Sequence, residues 1–156
     1  AVLDEFKGSI IITGVNADVG TVAIRECLEK FTRNNTGRVV LVESLGAQRY
    51  LSLMKYVDMV IGNSSSGIAE APAIGTPSVD IGLRQRGRLR APSVIHCDES
   101  VDAIRNAISI GLSHKHCELT QKRETPYGKP GAARRMVNLL QNVEFYNLRK
   151  PFVDNP

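Results

Sequence analysis

The pattern that most constrains this chain is a repeated alternation of short β-branched runs with longer segments of helical apolar spacing. Short apolar runs bounded by Gly, Asn or Ser predict strands, and apolar residues spaced three and four apart predict amphipathic helices. Strands that alternate with helices in this way are typical of βαβ units packed around a parallel sheet. The sequence therefore predicts an α/β fold.

The predicted elements cover most of the chain. Strands are predicted at residues 9–13, 38–42, 59–61, 77–81 and 93–96, and helices at residues 21–33, 47–57, 66–73, 100–112 and 132–142. The run SIIIT at 9–13 is typical of a buried strand of a parallel sheet. A polar stretch rich in Gly, Pro and Lys separates the last two helices. We expect one domain over residues 1–142, which 156 residues can supply with a core, and an extended tail over residues 143–156.

Charge and cysteine content restrict the class of ligand and the compartment. A net charge of +4, no Trp and few aromatic residues favour a small anionic ligand over nucleic acid. Three cysteines without a CxxC pair argue against a disulfide framework and a zinc ribbon. The absence of an apolar run of roughly 20 residues and of a signal pattern predicts a soluble, cytoplasmic protein. The chain starts at Ala1 rather than Met, which is compatible with a segment removed upstream.

A run of hydroxyl and glycine residues, Gly62 to Gly67, follows the third predicted strand and leads into a helix. Ligands of open parallel sheets bind at the carboxyl ends of strands, and unpaired N–H groups at a helix N-terminus attract phosphate. The lysine of a P-loop is missing, so the run is not a Walker motif. A phosphate cradle and an ordinary helix cap in a Ser/Gly turn both explain the run.

Glu70 lies in the first turns of the same predicted helix. A carboxylate there would repel phosphate but could accept hydrogen bonds from ribose hydroxyls, which favours a nucleoside. A Glu that merely complements the helix dipole is the alternative. Pro72 predicts a short or kinked helix, because proline lacks the helical N–H and clashes with the preceding turn.

Four arginines crowd the segment from Gly82 to Arg90, after the fourth predicted strand. A guanidinium group can bind phosphate oxygens through two parallel hydrogen bonds. A solvated basic face or a localisation signal would have a similar composition. The position at a strand end favours a ligand role for at least one of these arginines.

Other polar segments give no cofactor or metal site. The segment from Gly14 to Gly20 lacks the GxGxxG fingerprint and the EF-hand spacing, which disfavours NAD and calcium. We expect Asp18 to be a turn residue. The HKHC run at residues 114–117 looks exposed and lacks a second pair of ligands at metal-binding spacing. We therefore expect no metal and no cofactor.

Taken together and in this order, these loops resemble the hydrolysing UDP-N-acetylglucosamine 2-epimerases of sialic-acid-type sugar biosynthesis. Residues 59–88, MVIGNSSSGIAEAPAIGTPSVDIGLRQRGR, are similar to the family's GNSS-G-x-x-E and G-x-P-x-x-N-I-G-x-R-Q-x-G-R motifs. The resemblance covers nearly the whole chain and extends to the family's NxDxG loop and YG-G element, which are similar to Asn16, Asp18, Gly20, Tyr127, Gly128 and Gly131.

The resemblance implies a fold and a reaction. It implies a Rossmann-like, doubly wound parallel sheet, the C-terminal half of a two-domain GT-B enzyme that binds UDP-N-acetylglucosamine or a related UDP-sugar between its halves. In the family, UDP leaves by elimination and water then adds to give the free 2-epimeric sugar. The proton-moving carboxylates lie mainly in the N-terminal half, so we expect no catalytic residue here. The tail is expected to pack on that missing half.

The resemblance also implies roles for individual residues. Ser64 and Ser65, with Gly67 in the same loop, would hold the diphosphate. Arg84 would bind phosphate and Glu70 the ribose. The implied UDP-binding set is Asn16, Leu45, Ser64, Ser65, Gly67, Glu70 and Arg84, in which Leu45 belongs to a loop facing the uracil and Asn16 lines the same cleft.

The chain departs from the family pattern in three places. Asp80 stands where Asn is usual, Val15 stands where proline is common, and the family's upstream His-Pro element is absent. Two other functions fit the same loops, namely the donor-binding half of a UDP-sugar glycosyltransferase and a sugar-nucleotide-binding module without a reaction. The choice of UDP-sugar stays open, as does the oligomeric state, and a homo-oligomer is compatible with the sequence.

Overall fold

The computed structural model describes residues 2–14 and 21–144. One compact unit spans Ala1–Pro126 and a second spans Tyr127–Pro156. The helices of the first unit are α1 (Val2–Glu5), α2 (Thr21–Asn34), α3 (Gly46–Met54), α4 (Ser65–Ile74), α5 (Val101–Gly111) and α6 (His114–Gln121). Its strands are β1 (Ile10–Thr13), β2 (Val39–Val42), β3 (Val60–Gly62), β4 (Ser78–Ile81) and β5 (Val94–Cys97). The second unit contains α7 (Ala132–Asn142).

All described strand pairs are parallel, which confirms the α/β, Rossmann-like prediction. The described strands form two sheets, one of order β1-β2 and one of order β3-β4-β5. In the second sheet Asp80 of β4 is in register with Gly62 of β3 on one side and with His96 of β5 on the other. The polar ends of these three strands therefore meet at one edge of the sheet.

The core of the first unit lies around β4. This strand has a hydrogen-bonded neighbour on each side and packs against α4 and α5, so Val79 and Asp80 are almost completely buried. Helix α4 contributes the fully buried Ile68 and Ala71, and α5 contributes Ile108. Polar side chains are thus enclosed directly beneath the carboxyl ends of the strands.

The prediction of a buried strand at residues 9–13 is wrong. Ile11 is 44% exposed, and Val40, its partner in register on β2, is 55% exposed. The β1-β2 sheet has only two strands, and α2, which packs on β2, has no buried residue. An apolar strand is buried only where other elements cover both of its faces, and within residues 2–14 and 21–144 helix α2 contributes that cover incompletely.

Two described helices were not predicted. Helix α1 is a single turn, and α6 lies within the segment that we expected to be a polar connection. Ser113 caps α6 by accepting a hydrogen bond from the His116 N–H at 3.3 Å. The expectation that the HKHC run is exposed is wrong for His116, which is 8% exposed and whose Nε2 lies 3.0 Å from the Ser93 carbonyl oxygen. A short helix with few apolar residues gives little periodic signal.

The C-terminal prediction is tested only in part. Helix α7 has the predicted bounds, whereas residues 145–156 of the predicted tail lie outside the described residues. Within residues 2–14 and 21–144, no helix combines the length and the apolar character that crossing a membrane requires.

Candidate functional site

The loop from β3 to α4 is organised by its own serines. Ser64 has an extended backbone and caps the helix, since its Oγ accepts a hydrogen bond from the Ser66 N–H at 3.3 Å. The Gly67 N–H donates to the Ser64 carbonyl oxygen at 3.1 Å, which closes the first turn. The Ser64 hydroxyl still has its own proton to donate, as does that of Ser65, at the positive end of the helix dipole.

Buried contacts hold this helix N-terminus on the sheet. The Ser78 hydroxyl of β4 donates to the Gly67 carbonyl oxygen at 2.6 Å, and Ile68 one residue later is fully buried. Pro72 was predicted to shorten or kink the helix. The structure has a ten-residue α4 that ends at Ile74, two residues after Pro72, with Gly75 in the left-handed conformation as its C-cap. The helix is therefore short but firmly packed.

The segment from Gly82 to Arg90, here called the arginine loop, is attached to β5 at its start and to the β3-to-α4 loop in its middle. Gly82 follows β4 with φ of +75°, and its N–H donates to the Cys97 carbonyl oxygen at 2.9 Å. The buried Gln85 donates its side-chain N–H to the Asn63 carbonyl oxygen at 2.7 Å. Because Asn63 belongs to the β3-to-α4 loop, this bond holds the two loops together.

A polar cavity lies between these two loops, and we call it the cradle. Its volume is about 190 Å³, and its lining residues are Ser64, Ser65, Arg84, Gln85 and Arg88. The lining has hydroxyl and guanidinium donors but no carboxylate among the described residues. Hydroxyl donors, two guanidinium groups and a helix N-terminus attract an anion, and phosphate matches this set of donors.

A second cavity of about 450 Å³ lies at α5 and α6 and is larger than the cradle. Its lining includes Ile110 and Leu119 together with His116 and two lysines. None of these residues belongs to a loop at the carboxyl end of a strand, where ligands of parallel sheets bind. We therefore take the smaller cradle as the candidate site, because its lining groups converge on one kind of ligand.

The structure brings together part of the predicted set. Ser64, Ser65 and Arg84 line the cradle, and Gly67 lies in the first turn of α4. Glu70 is exposed further along α4, and the half-buried Leu45 precedes α3 at the end of the β2 loop. The lining of the cradle includes neither of these two residues, and the predicted Asn16 lies outside the described residues.

Sequence reasoning did not single out Gln85 and Arg88, although both lie in the arginine loop that it identified. The spacing showed four arginines near a strand end, but only the coordinates show that Arg84 and Arg88 line the cradle and that Arg86 does not. A buried glutamine between exposed arginines gives no periodic signal. The similarity to the RQxGR motif was the sequence signal that could have pointed to Gln85.

The fourth arginine has a different environment. Arg90 donates from Nε to Asp80 Oδ2 at 2.8 Å, its Nη2 lies 2.7 Å from the same oxygen, and Asp80 is 1% exposed. Nδ1 of His96 lies 3.3 Å from the same Oδ2. Burial, together with the carboxylates of Asp98 and Asp80, raises the pKa of the Cys97 thiol. Cys97 therefore stays protonated at neutral pH and is not an activated nucleophile beside the site.

Comparison with known proteins identifies the family. The sequence profile described as UDP-N-acetylglucosamine 2-epimerase matches residues 1–141. The chain belongs to this family. A GDP/UDP-N,N'-diacetylbacillosamine 2-epimerase (hydrolyzing) of Campylobacter jejuni is 47% identical over 94 residues, which are 60% of this chain and 24% of that protein. A UDP-N-acetylglucosamine 2-epimerase of Neisseria meningitidis serogroup B is 37% identical over 112 residues, 69% of this chain and 29% of that protein.

A solved structure supports the epimerase fold. The crystal structure of a UDP-N-acetylglucosamine 2-epimerase matches with a TM-score of 0.57 and 18% sequence identity, over 99% of this chain and 47% of that one. At that identity the match concerns the fold alone. The chain spans only about a quarter of the two curated epimerases it matches.

Proposed function

We propose that this chain is the UDP- and UDP-sugar-binding half of a hydrolysing UDP-N-acetylglucosamine 2-epimerase. Such an enzyme converts UDP-N-acetylglucosamine or a related UDP-sugar and water into the free 2-epimeric sugar, of N-acetylmannosamine type, and UDP. The observation that carries the proposal is the cradle between the β3-to-α4 loop and the arginine loop. The family membership and the names of the two relatives support the same reaction class.

The cradle suits the diphosphate of such a ligand. Its volume of about 190 Å³ is below the roughly 300 to 1,000 Å³ that encloses a drug-sized ligand. We assign the cradle to the phosphates. Ser64, Ser65 and the α4 amides would donate hydrogen bonds, and the guanidinium group of Arg84 would bind two phosphate oxygens. The nucleoside would then extend outward, with its ribose on Glu70 and its uracil towards Leu45. Asn16 is assigned to the same cleft.

The chemistry is assigned outside this chain. Elimination of UDP and addition of water both need a group that moves a proton within hydrogen-bond reach of the sugar. Among the described residues, the cradle lining holds only hydroxyl, amide and guanidinium groups, none of which is a general base at neutral pH. We therefore assign the acid and base to an N-terminal half and propose that residues 143–156 pack on it, in a cytoplasmic enzyme.

Calorimetry tests the binding role. The purified chain is titrated with UDP, UMP, uridine and sulfate at matched ionic strength, and in parallel incubated with UDP-N-acetylglucosamine while released UDP is measured. We expect UDP to bind more tightly than UMP, and both more tightly than sulfate, without UDP release. Equal binding of UDP, UMP and sulfate would overturn the nucleotide assignment. Robust release of UDP would show that this chain holds the catalytic groups.

Arg84 and Glu70 are assigned to different parts of one ligand, so their substitutions should differ. Arg84→Ala removes a charge-assisted contact to phosphate and should weaken UDP binding by about 1.5 to 3 kcal/mol, with uridine nearly unaffected. Arg86→Ala is the matched control, since Arg86 is an exposed arginine of the same loop that does not line the cradle. Equal losses in the two variants would mean that bulk charge, not a specific contact, attracts UDP.

Glu70→Ala should weaken UDP and uridine alike, because both carry the ribose hydroxyls that a carboxylate would accept from. Where uridine binds too weakly to measure, competition between UDP and its 2′-deoxy and 3′-deoxy forms replaces it. The variant should then lose the preference for the ribose form. Tighter binding of UDP by Glu70→Ala would instead indicate relief of phosphate repulsion, and Glu70 would be a helix-dipole charge only.

A further inference from the structure

Asp80 lies at the centre of the strand ends that carry the cradle. It is in register between Gly62, where the β3-to-α4 loop starts, and His96 on β5. Its Oδ2 atom accepts a hydrogen bond from Nε of Arg90, the last residue of the arginine loop, and lies 2.7 Å from Nη2 of the same guanidinium group. The ion pair therefore joins the end of that loop to the sheet that also holds α4.

We propose that the pair of Asp80 and Arg90, here called the clasp, positions the arginine loop so that Arg84 and Arg88 face the cradle. The proposal rests on the proposed function, because it assigns the clasp a role in binding the phosphates of that ligand. Asp80 and Arg90 do not line the cradle. They are positioning residues that act through Arg84 and Arg88.

Because the carboxylate of Asp80 is buried, the paired state of the clasp is favoured over the open state. A buried charge is costly unless it is paired, so the 1% exposed Asp80 strongly favours conformations in which Arg90 returns to it. The Nε hydrogen bond and the Nη2 ion-pair contact both reach Oδ2, at 2.8 and 2.7 Å, and Arg90 itself is only one quarter exposed. The end of the loop is thus fixed independently of any ligand.

The middle of the loop needs this attachment. Leu83 and Leu89 are exposed, and so are Arg84, Arg86 and Arg88, so apolar packing does not hold the segment. Its other attachments include the Gly82 N–H at its start, two turn hydrogen bonds and the side chain of Gln85. A segment with few buried contacts opens locally at low free energy. The clasp fixes the far end of this segment and so limits its opening.

The test uses a paired variant, Asp80→Asn with Arg90→Met. The single change Arg90→Ala leaves a buried carboxylate without its cation and endangers folding. The paired variant removes both charges at similar side-chain size and leaves the net charge unchanged. Arg86→Met is the control for loss of an arginine elsewhere in the loop. Circular dichroism and thermal unfolding first establish that both variants fold.

A ligand-free arm tests the clasp alone. Limited digestion with trypsin, followed by mass spectrometry, measures the rate of cleavage after Arg84 and Arg88. Cleavage in native protein follows local opening. We expect the paired variant to be cut there about fivefold faster or more, while Arg86→Met is cut at the wild-type rate at these two sites. Unchanged cleavage in the folded paired variant overturns the clasp.

A ligand arm tests its link to binding. A site that is competent only a tenth of the time binds about tenfold more weakly, and we expect a loss of UDP affinity of this order. Arg84→Met should then weaken UDP less in the paired variant than in the wild type, because the two changes act on one element. Unchanged affinity, or strictly additive losses, would reduce the clasp to a structural ion pair.

The two arms separate this proposal from the proposed function. If the wild-type chain does not bind UDP, the assigned function fails, while the trypsin arm still decides whether the clasp fixes the loop. Should the paired variant not fold, Asp80→Asn alone takes its place. Asn keeps an acceptor oxygen for Arg90 but loses the charge, so the same changes are expected in the same direction and at smaller size.

Discussion

The two sheets of the first unit differ in how composition relates to burial. β1 and β2 consist almost entirely of Ile, Val and Leu, yet Ile11 and Val40 are about half exposed. β4 contains Ser78 and Asp80, yet both are almost completely buried. The difference follows from neighbours, since β4 has a strand on each side and two helices packed against it.

This contrast shows that the β3-β4-β5 sheet, and not the β1-β2 sheet, supports the cradle. The buried polar side chains each bond to an element that borders the cradle: Ser78 to the first turn of α4, Gln85 to the β3-to-α4 loop and Asp80 to Arg90 of the arginine loop. Each of these bonds holds its group in place, because breaking it would leave a further buried donor or acceptor unpaired. The β3-β4-β5 sheet therefore provides a buried, hydrogen-bonded base for the candidate site, whereas no described polar side chain of β1 and β2 is buried in this way.

The largest expected effect compares two isoleucines. Ile68→Ala in α4 should lower the free energy of unfolding by about 2 to 5 kcal/mol, because it deletes fully buried atoms and leaves a cavity. Ile11→Ala in β1 should cost about 1 kcal/mol or less, because much of its surface is already in water. Urea unfolding of both variants measures the difference. Similar losses would show that β1 is as well packed in solution as α4.

A pair of serines gives an intermediate effect. Ser78→Ala removes the buried donor to the Gly67 carbonyl oxygen and should cost about 1 to 3 kcal/mol. Ser52→Ala removes a bond of similar length, 2.8 Å to the Gln48 carbonyl oxygen, from the exposed face of α3. Its cost should stay within about 0.5 kcal/mol. If the two variants unfold at the same urea concentration, burial does not increase the contribution of the Ser78 hydrogen bond to stability.

The smallest effect concerns an exposed ion pair between the N-terminal turn and α5. Glu5 accepts two hydrogen bonds from Arg105, both at 2.7 Å, which lower the pKa of the Glu5 carboxyl. Its stabilisation is present above the ordinary Glu pKa of about 4.3 and is lost as pH falls through the lowered value of the folded state. Glu5→Gln should slightly lower the urea midpoint at pH 7 and leave it closer to wild type near pH 3. A pH-independent difference would assign the effect to packing.

The sequence predicted the elements better than their burial. Each of the ten predicted helices and strands is present, with bounds that differ by three residues or fewer, because each has a clear period or a run of β-branched residues. Periodicity does not report how many elements cover a strand, so β1 was expected to be buried. Helix α6 was missed because its sequence, HKHCELTQ, has too few apolar residues to define a face.

The candidate site was predictable in position but not in detail. Strand ends followed by Ser/Gly and Arg runs located the two loops, and the structure places Ser64, Ser65 and Arg84 around one cavity. Four arginines in nine residues look alike in sequence. Only side-chain geometry separates Arg90, which pairs with a buried carboxylate, from Arg84 and Arg88, which line the cradle.

The division of the strands into two sheets affects how the chain behaves in solution. Every sheet edge presents unpaired N–H and C=O groups, and an apolar edge strand without charged side chains is a template for pairing with another molecule. Among the described strands, β1 and β2 meet this description, since their two-stranded sheet has an edge on each strand and neither strand carries a charged residue. The apparent mass of the isolated chain should therefore rise with protein concentration. Binding and unfolding should therefore be measured at low protein concentration.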